Sequence, residues 1–330
     1  MRLRVTAATW GLSLAWTVSA LAADVAPLEL VADVPLSGAA VRFDYQNLDA
    51  ARNRLYIAHM DADELVVFDT KTRSVLATLP GFPRIHGVIV VPELNRVYAS
   101  ATGDHKVFAV DAETLKIIGK GGPIHYPDGL AYAPGVKRVF VSDEHGNADA
   151  VVDALTGALV KTIPLGGNAG NTVYDPGSGK ILVAVSQKNE LVMIDPSSEA
   201  IMGRYPLPGI EDPHGIALDV SARLAFVAGE GNNKLAVVDL SNMRVFGTYA
   251  VGRSPDVLAF DPGAKVLYVA AESGQVTVFQ ENGNALFLKG TIKMPHAHTV
   301  SVDPQTHFVY FPLQNLNGHP VLRIMTPAEK

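Results

Sequence analysis

Six acidic or imidazole side chains recur at nearly equal intervals along this chain: Asp44, His86, Asp128, His214, Asp256 and His298. A seventh position, Gly170 or Asn171, falls between Asp128 and His214 and carries neither group. The steps from one anchor to the next are 42, 42, 42 or 43, 44 or 43, 42 and 42 residues. Carboxylate oxygens and neutral imidazole nitrogens together form a donor set for a divalent cation. Imidazole suits Zn, Cu, Ni or Fe, and carboxylates widen the range to Ca or Mg. We therefore expect a site for one divalent metal ion of open identity, with Asp44, His86, His214 and His298 as ligands. Three carboxylates around a narrow axis raise one another's pKa unless a cation or a protonated histidine compensates them. Taken singly, each anchor also has a structural use, because a buried polar group at a strand start needs a backbone or cross-strand partner.

A second column of residues follows the first by sixteen positions: Met60, Thr102, Glu144, Gln187, Glu230, Glu272 and Gln314. If a cation activates water, Glu230 or Glu272 is the expected general base. Asp128, Glu144 and Asp256 are expected to line the space that receives a ligand. Arg42 and Arg84 stand two positions before an anchor and either hold an anionic group or pair with Asp44 and Asp128. His59, Asp143 and His145 adjoin the second column, and His296 precedes His298 by two residues. Nine other aspartates read as turn residues: Asp49, Asp69, Asp111, Asp153, Asp195, Asp219, Asp239, Asp261 and Asp303. Each ends an apolar run before a turn, where a short carboxylate accepts bonds from nearby backbone N–H groups. His105, His307 and His319 fall at turns or strand ends, where solvated surface is the default.

The elements that must position these groups follow from the period. A fixed repeat of this length indicates a repeat architecture. In the fifth unit the apolar runs are Pro213 to Asp219, Leu224 to Ala228, Leu235 to Asp239 and Val245 to Ala250. They are short and separated by Gly, Asn, Asp and Ser, which predicts four strands. No stretch after the N-terminal segment shows a 3.6-residue period, so helices are minor. Four strands in each of seven units predict an all-β, seven-bladed propeller. The last unit supplies three strands, and the segment from Leu28 to Val34 is available as the fourth. Pairing the two ends as a 3+1 blade closes the ring and leaves no unpaired edge there.

Arg2 and Arg4 precede an apolar stretch from Val5 to Leu21, and Ala20-Leu21-Ala22 has the small-x-small form of a signal peptidase site. Residues 1–22 therefore read as a cleaved secretory signal, and 23–330 as one propeller domain, periplasmic or secreted, with no transmembrane anchor after cleavage. Losing the two arginines moves the formal charge from -6 to -8. With no basic run, nucleic acid is not an expected partner. The absence of cysteine excludes disulfides, thiolate metal sites, attached c-type haem and a cysteine nucleophile. There is no Gly-x-Ser-x-Gly elbow, no His-Glu-x-x-His helix and no phosphate loop, so no nucleotide is expected either.

Arg42-Phe43-Asp44-Tyr45 with Arg54-Leu55-Tyr56-Ile57-Ala58, Val97-Tyr98-Ala99-Ser100 with Val107-Phe108-Ala109-Val110-Asp111, and Pro127-Asp128-Gly129-Leu130 resemble the YncE-like, or YVTN-repeat, β-propellers. The resemblance spans the whole chain after the leader and implies an exported binding platform. Propeller lactonases and streptogramin lyases are similar in placing a divalent metal at the channel mouth, although the Glu-Gly-Pro phrase of the regucalcin-like lactonases is absent. The expected function is thus a platform whose channel mouth takes a small ligand, a metal ion or a protein partner. The alternative is a metal-dependent hydrolase of lactonase type, or a lyase, using the same groups.

Overall fold

Seven four-stranded antiparallel sheets make up the described residues in the computed structural model, six of them running in sequence order from an inner to an outer strand. Residues 26–328 are described, so the leader read at 1–22 lies outside them. Blade five has its strands at Pro213–Asp219, Leu224–Gly229, Lys234–Asp239 and Arg244–Ala250. Blade seven joins Ser301–Val302, Val309–Leu316 and His319–Pro327 to the N-terminal strand Leu28–Pro35. That is the 3+1 closure. A paired Asp33 and Arg323 mark its register, with Nε–Oδ1 and Nη2–Oδ2 both at 2.7 Å. Among the described residues the only helical elements are four three-residue 3-10 turns. None of them could cross a membrane.

The sequence period is also the packing period. Twelve residues after each anchor position, in the second strand, stands Tyr56, Tyr98, Phe140, Leu182, Phe226, Tyr268 or Tyr310, and all seven are essentially fully buried. Each such side chain contributes on the order of 1.5–3 kcal/mol by leaving water. Apolar clusters lie between neighbouring blades. Leu65 with Val88, Val107 with Leu130, Leu191 with Ile216, Leu235 with Leu258 and Val276 with Val300 each share one. All nine turn aspartates accept a backbone N–H bond from a residue two or three positions on, and some accept two, as with Asp69 from Lys71 and Thr72, and Asp219 from Ser221 and Ala222.

The inner strands depart from simple ladders where the anchors sit. In blades two to six the pairing skips two residues, between Ile85 and Val88, Pro127 and Leu130, Ala169 and Thr172, Pro213 and Ile216, and Pro255 and Leu258. Such bulges re-aim a side chain, and those in blades two, three, five and six accompany anchors that line the channel mouth, His86, Asp128, His214 and Asp256. The same register places Gly170, not Asn171, in the anchor column. Blade one begins its regular ladder only at Gln46, and blade seven only at Ser301, so Asp44 and His298 precede strands the sequence pattern extended over them. Asp44 N–H donates instead to Ala58 O, and His298 O accepts from Val257 N–H of blade six.

Candidate metal centre at the channel mouth

One end of the channel opens as a cavity of about 390 Å³ lined by residues of blades one, two, three, five and six. Five carboxyl groups face it, from Asp44, Asp128, Glu144, Glu230 and Asp256, against two guanidinium groups, from Arg42 and Arg84. His86, His214, Tyr45, Tyr126 and Met60 complete the lining, and His298 is buried beside it.

Close approach of the inner strands brings the anchors together. The residue after His86 and after His214 is glycine. A Cβ on Gly87 would stand 2.1 Å from Asp128 O, and one on Gly215 would stand 1.9 Å from Asp256 O. Ser100 Oγ donates to Asp128 O at 2.7 Å and accepts from Gly87 N–H at 2.6 Å, tying blade two to blade three.

Asp44 sits at the middle of the constellation. Its carboxylate lies with His86 and Asp128 so that one donor atom from each falls within 4.8 Å of the others. It lies in the same way with Asp256 and His298. Burial, with the charges of Asp128 and Asp256, raises the Asp44 pKa well above the usual carboxylate range. Burial likewise lifts Asp128 to about 7, with Glu144 and Asp256 adding to it and His214 opposing. Asp128 Oδ1 and His298 Nε2 are buried without a hydrogen-bond partner.

The histidines divide by environment. Burial lowers His86 to about 4, so its ring is neutral at ordinary pH. His86 Nδ1–H donates to Arg84 O at 2.7 Å and reaches Thr102 Oγ1 at 2.9 Å, which leaves Nε2 as the lone-pair nitrogen, 3.9 Å from Asp44 Oδ2. A backbone carbonyl on one ring nitrogen fixes the tautomer that presents the other to a metal. Burial also lowers His298. His214 goes the other way. Burial disfavours its charge, but Asp256 at 3.4 Å, aided by Asp128 and Glu230, lifts it to about 10. Asp256 in turn is held below the usual carboxylate range by His214 despite its burial. His214 is thus an imidazolium paired with a carboxylate.

Arg42 bonds Glu272 at 2.6 Å rather than Asp44, and Arg84 lies 4.0 Å from Asp61 rather than beside Asp128. Glu272 is thereby engaged, with His298 Nδ1 4.0 Å away. Burial raises the pKa of Glu230. His59 is fully buried and stacked on Phe43 at 4.1 Å, away from the mouth, and Asp143 accepts N–H bonds from His125, Tyr126 and Gly146. His296 is exposed, with φ of 66°, while His298 is buried, so the two do not act as a chelating pair. His307, which the sequence leaves as solvated surface, donates from Nδ1 to the buried Asp261 at 2.6 Å.

Two lining residues escaped the sequence reading. Tyr126 O–H stands 3.4 Å from His86 Nε2 and occupies the same place in its repeat as Arg42 and Arg84. Tyr45 places a buried, partnerless hydroxyl among the three anchor aspartates, and its pKa is raised by burial and by their charges. In both cases the signal was the residue's column in the repeat rather than its type.

No family model matches the chain. Antigen Lp49 of Leptospira interrogans is 22% identical over 254 residues, covering 70% of this chain and 55% of that protein. The uncharacterised protein YncE of Salmonella typhi is 29% identical over 96 residues, 29% of this chain and 27% of YncE. The chain thus spans about half the length of one relative and about a quarter of the other. Among solved structures, virginiamycin B lyase from Staphylococcus aureus superposes with a TM-score of 0.75 at 12% identity, covering 90% of this chain and 99% of the lyase. The WD40 repeats of RRP9 give a TM-score of 0.75 at 10% identity, covering 91% and 100%. At such identities the likeness is one of fold.

Proposed function

Since the chain is a YncE-like seven-bladed propeller, we propose that it serves as an exported binding platform whose channel mouth captures a divalent cation. The observation that carries this reading is the convergence of three buried carboxylates, Asp44, Asp128 and Asp256, with two neutral imidazoles, His86 and His298. Buried like charges this close are unfavourable unless protons or a cation compensate them. His214 supplies one positive charge, and the elevated pKa values of Asp44 and Asp128 indicate that it is not enough. A mixed carboxylate and imidazole set suits Mn²⁺, Fe²⁺ or Zn²⁺ better than a hard cation that prefers oxygen alone. Asp44, Asp128, Asp256, His86 and His298 are the ligand candidates, with His214 as a fixed counter-charge. Arg42, Arg84 and Glu144 face what approaches from outside, a small molecule or a protein.

A second reading makes the platform a metal-dependent hydrolase or lyase. It is favoured by Glu230, whose carboxyl lines the same cavity and is held above its ordinary pKa. The cation would act as Lewis acid, and Glu230 would be the general base in place of the engaged Glu272.

Elemental analysis of protein purified from its native compartment, followed by Mn²⁺ and Zn²⁺ titration calorimetry, tests the proposal. Saturable binding that is lost in Asp44→Asn supports it. No binding of either ion by the unaltered protein would sink both readings.

A further inference from the structure

Resting on that reading of the channel mouth, we propose that it holds two cations rather than one, with the Asp44 carboxylate bridging them.

The ring order supports this. Asp44 belongs to blade one. On one side of it stand His86 of blade two and Asp128 of blade three, and on the other His298 of blade seven and Asp256 of blade six. Among the described residues these are the two sets in which three donor atoms come within 4.8 Å of one another, and Asp44 is the member they share. A carboxylate has two oxygens, so a single Asp can serve a cation on each side. Two-metal sites place their ions roughly 3.5–4 Å apart, a distance one carboxylate spans.

Each set independently contains a buried polar atom with no partner. In the first it is Asp128 Oδ1, on a residue 3% exposed. In the second it is His298 Nε2, on a residue 4% exposed. Leaving such an atom unsatisfied is unfavourable, and a single cation on one side of Asp44 would relieve only one of them. On the far side of the ring, blade four has Gly170 in the anchor column, and the blade-five His214 Nδ1, which also lacks a hydrogen-bond partner, already has Asp256 Oδ1 3.4 Å away as a counter-charge.

Electron paramagnetic resonance and equilibrium dialysis with Mn²⁺ alone decide the matter. The unaltered protein should take up two ions per chain and give the broadened spectrum of a spin-coupled pair at saturation. His86→Ala and His298→Ala should each retain one ion with the six-line spectrum of isolated Mn²⁺, and Asp44→Asn should lose the coupling. Circular dichroism verifies that the variants fold, and if Asp44→Asn does not, the two histidine variants suffice. One ion per chain in the unaltered protein overturns the two-cation inference and leaves the single-cation platform standing. Two ions without coupling overturn the bridge, and no ion removes the underlying reading itself.

Discussion

His214 Nδ1 lies 3.4 Å from Asp256 Oδ1, and both side chains are at least four-fifths buried. Removing the imidazole leaves the Asp256 carboxyl buried, without its ion-pair partner and next to Asp44 and Asp128. Breaking a buried pair in this way costs about 3–5 kcal/mol. His214→Ala should therefore unfold at a clearly lower temperature in chelated buffer. Added Mn²⁺ should restore more of the lost stability in the variant than it adds to the unaltered protein, because the ion takes over the missing charge. The His214 pKa is raised in the folded state, so the pair's contribution is complete below about pH 6.5 and disappears as pH rises through about 10. The stability difference between the two proteins should shrink over that interval. A gap that neither Mn²⁺ nor alkaline pH narrows would count against this account.

The unequal legibility of fold and site has a physical basis. The blades could be read because burial of Tyr56, Tyr98, Phe226 and their counterparts repeats with the period, and turn aspartates such as Asp69 and Asp219 act through bonds to their immediate neighbours. The anchor column could be read for the same reason. What the spacing does not carry is which anchor faces which. Asp256 turns His214 into an imidazolium while burial keeps His86 neutral, although both are histidines at equivalent positions. Likewise Arg42 finds Glu272, 230 positions away in sequence, because the closed ring places blade six near blade one.

Asp149 provides a pH test remote from the cavity. It occupies a position filled in other blades by Leu65, Val107, Leu191, Leu235 and Val276, and it meets Thr172 where the adjoining blades present Val88, Leu130, Ile216, Leu258 and Val300. Asp149 is fully buried, and neither its oxygens nor Thr172 Oγ1 has a hydrogen-bond partner. Burial lifts its pKa to about 7, and the charge of Asp143 adds to the rise. A carboxyl whose folded pKa exceeds the unfolded value near 3.9 stabilises fully below that value, and the contribution is lost as pH rises to about 7. Urea midpoints of the unaltered protein should fall over this window, and Asp149→Asn should remove that part of the slope. Asp149→Leu combined with Thr172→Val should be more stable than the unaltered protein at pH 8 by about 1–3 kcal/mol. Equal or lower stability at pH 8 would show that the polar pair is satisfied.

Ring closure can be tested at its own seam. Arg323 and Asp33 form a bidentate pair, but both are partly exposed, so Asp33→Ala should cost no more than about 1 kcal/mol. Deleting Leu28–Pro35 is a different matter, because it strips blade seven of its outer strand and exposes the edge of His319–Pro327. Size-exclusion chromatography should then show association or expansion. Closure by this strand is refuted if the truncated chain remains monomeric with an unchanged urea midpoint.

Gly215 links the repeat directly to the site. Its missing side chain lets the blade-six inner strand approach, and a Cβ there would lie 1.9 Å from Asp256 O and 2.7 Å from Leu258 Cδ1. Gly215→Ala must therefore push the two strands apart or shift the Asp256 main chain, at a cost of about 1–3 kcal/mol or more. Displacing Asp256 should weaken Mn²⁺ binding on the side it shares with His298 and leave the His86 and Asp128 side less affected. Gly135→Ala is the control, since its Cβ would meet nothing within 4 Å and its backbone is not in the left-handed region. Calorimetric titration of both variants reads the outcome. If Gly215→Ala binds Mn²⁺ as Gly135→Ala does, Asp256 is not held in place by the close approach of these strands.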